Sequence, residues 1–338
     1  MKSIFKSAAL LFRETVKEWI DDGASNIAAA LAYYAVFSLS PLLIIIALFL
    51  GLVLNQQSIE SGLIKGVETT IGQQAAQLMR SMLDANVDTG DIVGTVAWLA
   101  IVIWGASGMF AQLQTALNKI WEVKPKPGRS PLVLVKNRLL SFGVVVLAAL
   151  ALLGTMVINT TLNASIENRV RAINASTSLS DAVRSRQPAA TDSDLIAILA
   201  TRAVQAVASV TIIALLIAAV YHMLPDVDIA WRDLIVGSVF TAILLFIGQI
   251  LVGLYLSRSS FDTVFGAAGS LTVILVWVYY SAQILLFGAE FTEVWARHYG
   301  SHIVPDNDAV WENEYKARAE VHRAGQDWSE VEEAMNRN

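Results

Sequence analysis

The sequence predicts an all-α membrane protein: a bundle of six transmembrane helices with an N-terminal interfacial helix and two long, partly helical outer loops. Hydrophobic residues make up 55% of the 338 residues and charged residues only 16%, whereas soluble domains average roughly 45–50% and 25%. Long uncharged runs and a mean hydropathy of +0.54 support the same class. These observations argue against a soluble enzyme.

Charge and cysteine content exclude several kinds of chemistry. The chain has no cysteine, which rules out disulfides, thiolate metal sites and cysteine nucleophiles. Residues 303–338 carry nine acids and four bases, so this tail accounts for the whole net charge of −5. Because no basic block remains elsewhere, we expect no nucleic-acid partner.

The first element is a predicted helix over residues 4–20. Its apolar positions alternate with lysines and an arginine, a pattern typical of a helix that lies in the headgroup layer. A helix packed against the bundle explains the same pattern. Arg13 interrupts the apolar stretch, so we do not expect a cleaved signal peptide.

Six segments then have the roughly 20 apolar residues that a membrane crossing requires. We predict a transmembrane domain over residues 1–300 and an acidic cytoplasmic tail over 301–338. The predicted spans are residues 31–54, 92–117, 139–161, 203–223, 234–256 and 268–294.

Lysine and arginine counts orient this bundle. With both termini inside, the inner segments hold 16 of the 24 basic residues, six of them in the short 118–138 connection. Cytoplasmic loops carry such an excess, so both termini are predicted to be cytoplasmic. The outer loops then cover residues 55–91, with helical apolar spacing from Leu63 to Met82, and the more polar residues 162–202.

Glu290 is the sharpest functional candidate, because a charge inside a membrane costs roughly 2.5–3.5 kcal/mol on insertion scales. Gln283 lies two helical turns earlier on the same face of the sixth span. The two side chains are candidates for lining a pathway. The alternative is structural: Gln283 bonds a neighbouring helix and Glu290 pairs with a cation.

Two further polar groups are candidates for the same interior. Gln114 and Asn118 end the second span below a patch of small residues, and they suit either a binding face or a helix contact. In the first span Tyr33, Tyr34 and Ser38 precede Pro41. Hydroxyls before a proline predict a kinked or broken helix, which occurs at transporter binding sites and in structural helices alike.

An inner turn follows the fourth span. Pro225 and Asp226 stop one helix, and the next begins near Arg232. We interpret these residues as a structural turn.

No pattern specifies catalysis. The four histidines form no ligand set of the H-E-x-x-H type, and no nucleophile elbow, Walker loop or dinucleotide fingerprint is present. We therefore expect no catalytic residue, no metal and no cofactor.

Several sequence patches together resemble the YihY/BrkB family of bacterial inner-membrane proteins, once labelled ribonuclease BN. The patches cover all six spans in order. They are AAALAYYAVFSLSP at 28–41, Trp104 with NKIW at 118–121, LPD at 224–226 before Trp231, FGAAGS at 265–270, Trp277 with YSA at 280–282, and GAE at 288–290.

The resemblance implies a six-helix protein of the bacterial cytoplasmic membrane. Our leading hypothesis is a transporter, or a lipid- or solute-handling envelope protein, in contact with the bilayer and with a lipid or small solute. The alternative is a structural or interaction protein with envelope partners or a second copy of itself. A membrane ribonuclease ranks last, because the sequence offers neither a metal-ligand set nor a basic groove.

Overall fold

A computed structural model describes residues 2–51, 108–126, 192–258 and 269–316, together with single positions at 64, 68, 73, 76, 77 and 80. The predicted third span at 139–161 lies outside these residues. So do most of the predicted second span and most of the two long outer loops.

The described residues are mostly helical. Helix α1 covers Lys2–Asp21, α2 covers Ala24–Gly51, and α3 covers residues 108–120. Helices α4, α5 and α6 cover Asp192–Met223, Trp231–Arg258 and Gly269–Tyr299. The sequence predicts a kinked or broken helix at Pro41, and helix α2 runs through this proline as one element without a break. Gly23 connects α1 to α2 with a φ of +65°, a conformation that favours glycine.

Three helices in the described part of the chain are long and apolar enough to cross a membrane. They are Leu199–Met223, Trp231–Val252 and Leu271–Tyr299, and the apolar segment Ala24–Ser38 is shorter. These segments confirm a membrane protein built of apolar helices.

The helices pack around α6. Helices α2 and α5 lie against α6, α4 packs on α5, and α1 covers the last part of α6. The contact face of α1 buries Leu11 and Thr15, while Phe12 and Ile20 stay exposed. This amphipathic helix therefore contacts the bundle along one face. The buried side chains of the shared core include Ala28, Leu117, Trp121, Tyr221 and Leu286.

Four short strands lie at one end of the bundle, here called the strand end. Strand β1 (Val123–Pro125) pairs antiparallel with β4 (Ala309–Trp311), and β2 (Val227–Asp228) pairs antiparallel with β3 (Val304–Pro305). The chain after α6 therefore crosses the connections that follow α3 and α4. We call residues 301–316 the strap.

The strap belongs to the segment that the sequence predicts as a tail after the transmembrane domain, yet it packs against the helices. Ala309 and Val310 are buried, and Lys124 pairs with Glu312 at 3.2 Å. Short β-pairings of this kind depend on distant segments, so local hydrophobic periodicity did not reveal them. The first part of the predicted tail therefore packs on the transmembrane domain.

Candidate functional site at the strand end

The candidate site is built around Glu290, which lies in the last third of α6. Its side chain is fully buried. Neither carboxylate oxygen has a hydrogen-bond partner among the residues that the structure describes. A buried polar group normally has such a partner, so this carboxyl requires a physical explanation.

Three other carboxyls lie close to Glu290. Asp22 is in the turn between α1 and α2, Glu18 is on α1, and Glu293 is one turn further along α6. We call Glu18, Asp22, Glu290 and Glu293 the carboxyl cluster. Asp22 and Glu290 approach each other without the geometry of a complete hydrogen bond.

Asp22 is itself partly removed from water. Burial raises the pKa of its carboxyl above the ordinary value, and the positive charge of Lys119 offsets only part of that effect. The Lys119 ammonium donates a hydrogen bond to the main-chain oxygen of Asp22 at 2.6 Å. Lys119 therefore holds the α1–α2 turn against the end of α3.

Arg297 is the cation that joins α1 to α6. Its guanidinium lies 3.3 Å from Glu18 and 3.2 Å from Glu293, and a longer contact of 3.8 Å reaches Glu14. His298 lies 3.0 Å from the other oxygen of Glu14. These contacts fasten α1 on α6 and occupy Arg297, and none of them involves Glu290.

Gln283 lies seven residues before Glu290 and bonds a neighbouring helix. Its amide nitrogen donates to the Ser25 hydroxyl of α2 at 3.3 Å. Its amide oxygen is buried and has no partner within the described chain. The amide nitrogen of Gln283 thus makes the predicted contact with a neighbouring helix, whereas its amide oxygen accepts no hydrogen bond within the described chain.

Asn118 is in a different environment from Glu290. Its amide nitrogen donates to the Asp226 carboxylate at 2.8 Å, and its amide oxygen accepts from the Asp226 main-chain nitrogen at 2.8 Å. Both residues are buried, as is Pro225. Asn118 therefore holds the turn after α4, while Gln114 lies half-buried one turn earlier on α3.

The remaining sequence candidates lie away from the carboxyl cluster. Tyr33 and Tyr34 are 59% and 42% exposed on α2. Ser38 is buried and donates to the main-chain oxygen of Tyr34 at 2.8 Å. Arg232 is exposed at the start of α5. None of these four side chains forms a hydrogen bond with Glu290.

An apolar cavity lies between α2, α3, α5 and α6, and its α6 lining runs from Ile274 to Leu285. Its volume is about 280 Å³. Ser281 contributes a hydroxyl to the lining, but that hydroxyl donates to the main-chain oxygen of Trp277 at 2.8 Å. The other lining side chains include Leu31, Ala35, Leu113, Leu245, Ala282 and Leu285.

Tyr221 contacts both Leu285, which lines this cavity, and Trp121, which comes just before β1. Its hydroxyl donates to the main-chain oxygen of Leu285 at 2.6 Å, and its ring meets Trp121 edge to face at 5.7 Å. The side chain is fully buried. Glu290 lies five residues beyond Leu285, which corresponds to about 7.5 Å along a helix axis.

The described residues contain no group of three or more histidine, cysteine, aspartate or glutamate side chains that could hold a metal ion. The described features are instead a buried carboxyl among other carboxyls and, separate from it, an apolar cavity. The carboxyl can receive a proton or accept a hydrogen bond, and the cavity can receive hydrocarbon.

The family model described as virulence factor BrkB matches residues 15–311. The chain belongs to the virulence factor BrkB family. The family resemblance expected from the sequence is thereby confirmed, and the match includes every described residue of the carboxyl cluster and the cavity.

Relatives of this BrkB-family chain carry the name UPF0761 membrane protein. One from Pseudomonas aeruginosa is 24% identical over 297 residues, covering 86% of this chain and 63% of the relative. One from Psychromonas ingrahamii is 37% identical over 76 residues, covering 22% and 26%. The chain thus spans less than two thirds of the P. aeruginosa relative. No solved structure matches it.

Sequence reasoning identified Glu290 in this BrkB-family protein but missed the other three carboxyls of the cluster. One signal was available: Glu14, Glu18 and Asp22 recur every fourth residue, a spacing that puts side chains on one helix face. Their meeting with α6 depends on the turn at Gly23. Asp233 lies in the first turn of α5, and its buried carboxylate accepts from the Ser301 main-chain nitrogen at 3.1 Å.

Proposed function

We propose that this BrkB-family membrane protein binds a membrane lipid within its helix bundle and moves it across or within the bilayer. The observation that carries the proposal is the apolar cavity of about 280 Å³ between four helices. Lipid chains surround a transmembrane bundle, and they are the hydrocarbon present at the highest local concentration.

The size and lining of the cavity suit part of an acyl chain. An engineered apolar cavity of about 150 Å³ stays free of water and takes up benzene. A cavity of about 280 Å³ is large enough for a longer hydrocarbon group, and its one lining hydroxyl is already bonded within α6. Water is therefore a poor occupant.

The lining of the cavity also separates two kinds of ligand. Its α6 residues, from Ile274 to Leu285, recur at three- and four-residue spacing along one face of the helix, and Glu290 is not among them. The cavity therefore offers hydrocarbon contacts, which favours a lipid chain over a small hydrophilic solute.

The proposal also covers the topology of the protein in the membrane and the kind of role it has. We infer six transmembrane spans in the bacterial cytoplasmic membrane, both termini in the cytoplasm, and a role that is not enzymatic. The excess of basic residues in the predicted inner segments supports the orientation.

The test fills the cavity and asks whether bound lipid is lost. The full chain is extracted into polymer nanodiscs, and co-purified lipids are compared with the bulk membrane by native mass spectrometry. Ala35→Phe inserts a ring into the cavity, whereas Ala203→Phe places the same ring at an exposed position of α4.

We expect a lipid class enriched over the bulk membrane with wild type and Ala203→Phe, and lost with folded Ala35→Phe. The same variants in liposomes with a fluorescent lipid test movement between leaflets. A lipid profile equal to the bulk membrane in wild type would overturn the proposal and favour a structural role in the envelope.

A further inference from the structure

The carboxyl cluster has more acidic groups than the surrounding cations can neutralise. Glu290 is fully buried, and its two oxygens have no hydrogen-bond partner in the described chain. Arg297 is occupied by Glu18 and Glu293. The Lys119 ammonium donates to a main-chain oxygen and faces Asp22 rather than Glu290.

An isolated carboxylate without a partner is very unfavourable in such surroundings, because burial removes the water that solvates the charge. A nearby carboxylate adds repulsion when both groups are ionised. A metal ion would relieve the repulsion, but the described residues offer no metal-ligand group. A proton is the smallest cation that can neutralise one of the two carboxylates and so remove their repulsion.

We propose that Asp22 and Glu290 form a proton-binding site, in which one proton is held between the two carboxyls. The titratable and charged groups that face this pair come from α1, α3 with the turn after it, and α6. They are Glu18, Lys119, Glu122 and Glu293, and Arg297 faces Glu18 and Glu293 in turn.

Binding or loss of this proton changes the force between the α1–α2 turn and α6. With one proton bound, the pair carries a single negative charge, which Lys119 partly balances. Loss of that proton leaves two adjacent anions, and their repulsion acts between the α1–α2 turn and α6. Gly23 gives this turn a left-handed backbone conformation without a side-chain penalty, so the turn is where we expect movement.

If the protein moves lipid as proposed, this proton is its coupling ion, and that role rests on the proposed function. The existence of the proton-binding site does not depend on the proposed function. The experiment therefore measures the proton without measuring transport. Dicyclohexylcarbodiimide takes the proton of a carboxylic acid, the carboxylate adds to its central carbon, and rearrangement gives a stable N-acylurea. The reagent is apolar and therefore reaches carboxyls in apolar surroundings.

Full-length protein in nanodiscs is treated with this reagent across a pH series, and peptides are analysed by mass spectrometry. We expect adduct at Glu290 that declines as pH rises, and far less adduct at Glu14 and Glu18. Glu290→Gln removes the adduct from that peptide. Asp22→Asn keeps the Glu290 carboxyl but removes the negative charge beside it. Glu290 then loses its proton more easily, so we expect its adduct to decline at lower pH than in wild type.

Absence of adduct at Glu290 in folded wild type at every pH would overturn the proposal. So would an Asp22→Asn pH profile identical to that of wild type, because the two carboxyls would then titrate independently. Intact labelling together with unenriched lipid would leave the proton site standing and remove its proposed coupling role. The wild-type result is informative even if Glu290→Gln does not fold.

Discussion

The side chain of Thr292 lies against the main chain of Gly237, so that a Cβ on this glycine would come within 2.8 Å of the Thr292 Cβ. Thr241 packs on Gly288 in the same way, with a corresponding distance of 2.7 Å. Each threonine hydroxyl donates at 2.7 Å to the glycine oxygen four residues earlier on its own helix. Antiparallel helices α5 and α6 thus cross through two reciprocal glycine–threonine contacts.

This crossing predicts that Gly237→Ala lowers the stability of the folded protein. The added methyl group overlaps Thr292, and overpacking of this kind costs typically about 1–3 kcal/mol. The better helix propensity of alanine offsets at most about 1 kcal/mol. The measurement is thermal unfolding of the purified protein in detergent.

Gly108→Ala is the matched control for that prediction. A Cβ at Gly108 has its nearest neighbour at 3.8 Å, which is ordinary van der Waals contact, so we expect unchanged or slightly higher stability. Equal unfolding temperatures for the two variants would contradict a tight α5–α6 crossing at Gly237.

Asn118→Ala is expected to destabilise the turn after α4. The substitution removes both hydrogen bonds to Asp226, and a buried polar group deprived of its partner costs about 1–3 kcal/mol. Hydrogen exchange of residues 224–230 measures the local effect. Thr115→Ala is the control, because that exposed hydroxyl bonds only its own helix at Ala111. Faster exchange in the control than in Asn118→Ala would contradict the prediction.

The strap is expected to open at acidic pH. Although burial alone raises the pKa of Glu312, hydrogen bonds from Lys124 and Lys316 bring it below its ordinary value. The folded state therefore favours the ionised form. The resulting stability is present above the unfolded pKa of about 4.3 and is lost as pH falls through the lower folded pKa.

Hydrogen exchange of residues 304–316 from about pH 3 to about pH 7 measures this opening. Glu312→Gln removes the ionisable group, so we expect weaker protection that no longer changes over this range. Wild-type protection that stays constant down to the lowest pH would argue against a contribution from Glu312.

Asp22 is expected to produce the opposite pH dependence. Burial is the main reason that the pKa of this carboxyl is raised, so the folded state holds the proton more tightly than the unfolded state. Its contribution is greatest below the unfolded pKa of about 3.9 and falls as pH rises through the folded pKa. Asp22→Asn should remove this fall, leaving a variant at least as stable as wild type at neutral pH.

Unfolding temperatures across the pH range test the Asp22 prediction. Asp21→Asn is the control, since the Asp21 side chain is 59% exposed and makes only a long 3.8 Å contact with Lys17. Identical pH profiles for wild type and Asp22→Asn would count against the burial of this carboxyl.

Cysteine labelling tests the orientation, because the chain has no cysteine of its own. His302→Cys is exposed on the strap, and Ile196→Cys is exposed near the start of α4, before the apolar segment Leu199–Met223. We expect an impermeant thiol reagent to label Ile196→Cys in intact cells and His302→Cys only after the membrane is opened. The reverse pattern would contradict cytoplasmic termini.

The sequence by itself determined the class of protein and the family. Apolar runs near α4, α5 and α6 predict membrane helices because the bilayer requires local hydrophobicity and internal backbone hydrogen bonds. The cost of an intramembrane charge singled out Glu290 in the same way, from one residue and its surroundings.

Only the tertiary structure decided which distant residues meet. Asn118 and Asp226 are 108 positions apart, and β1 pairs with a strand that follows α6. Asp22 reaches Glu290 because the Gly23 turn brings α1 back onto α6. Hydrophobicity determines whether a helix enters the membrane but carries little information about which helices it contacts. Side-chain packing between helices determines those contacts.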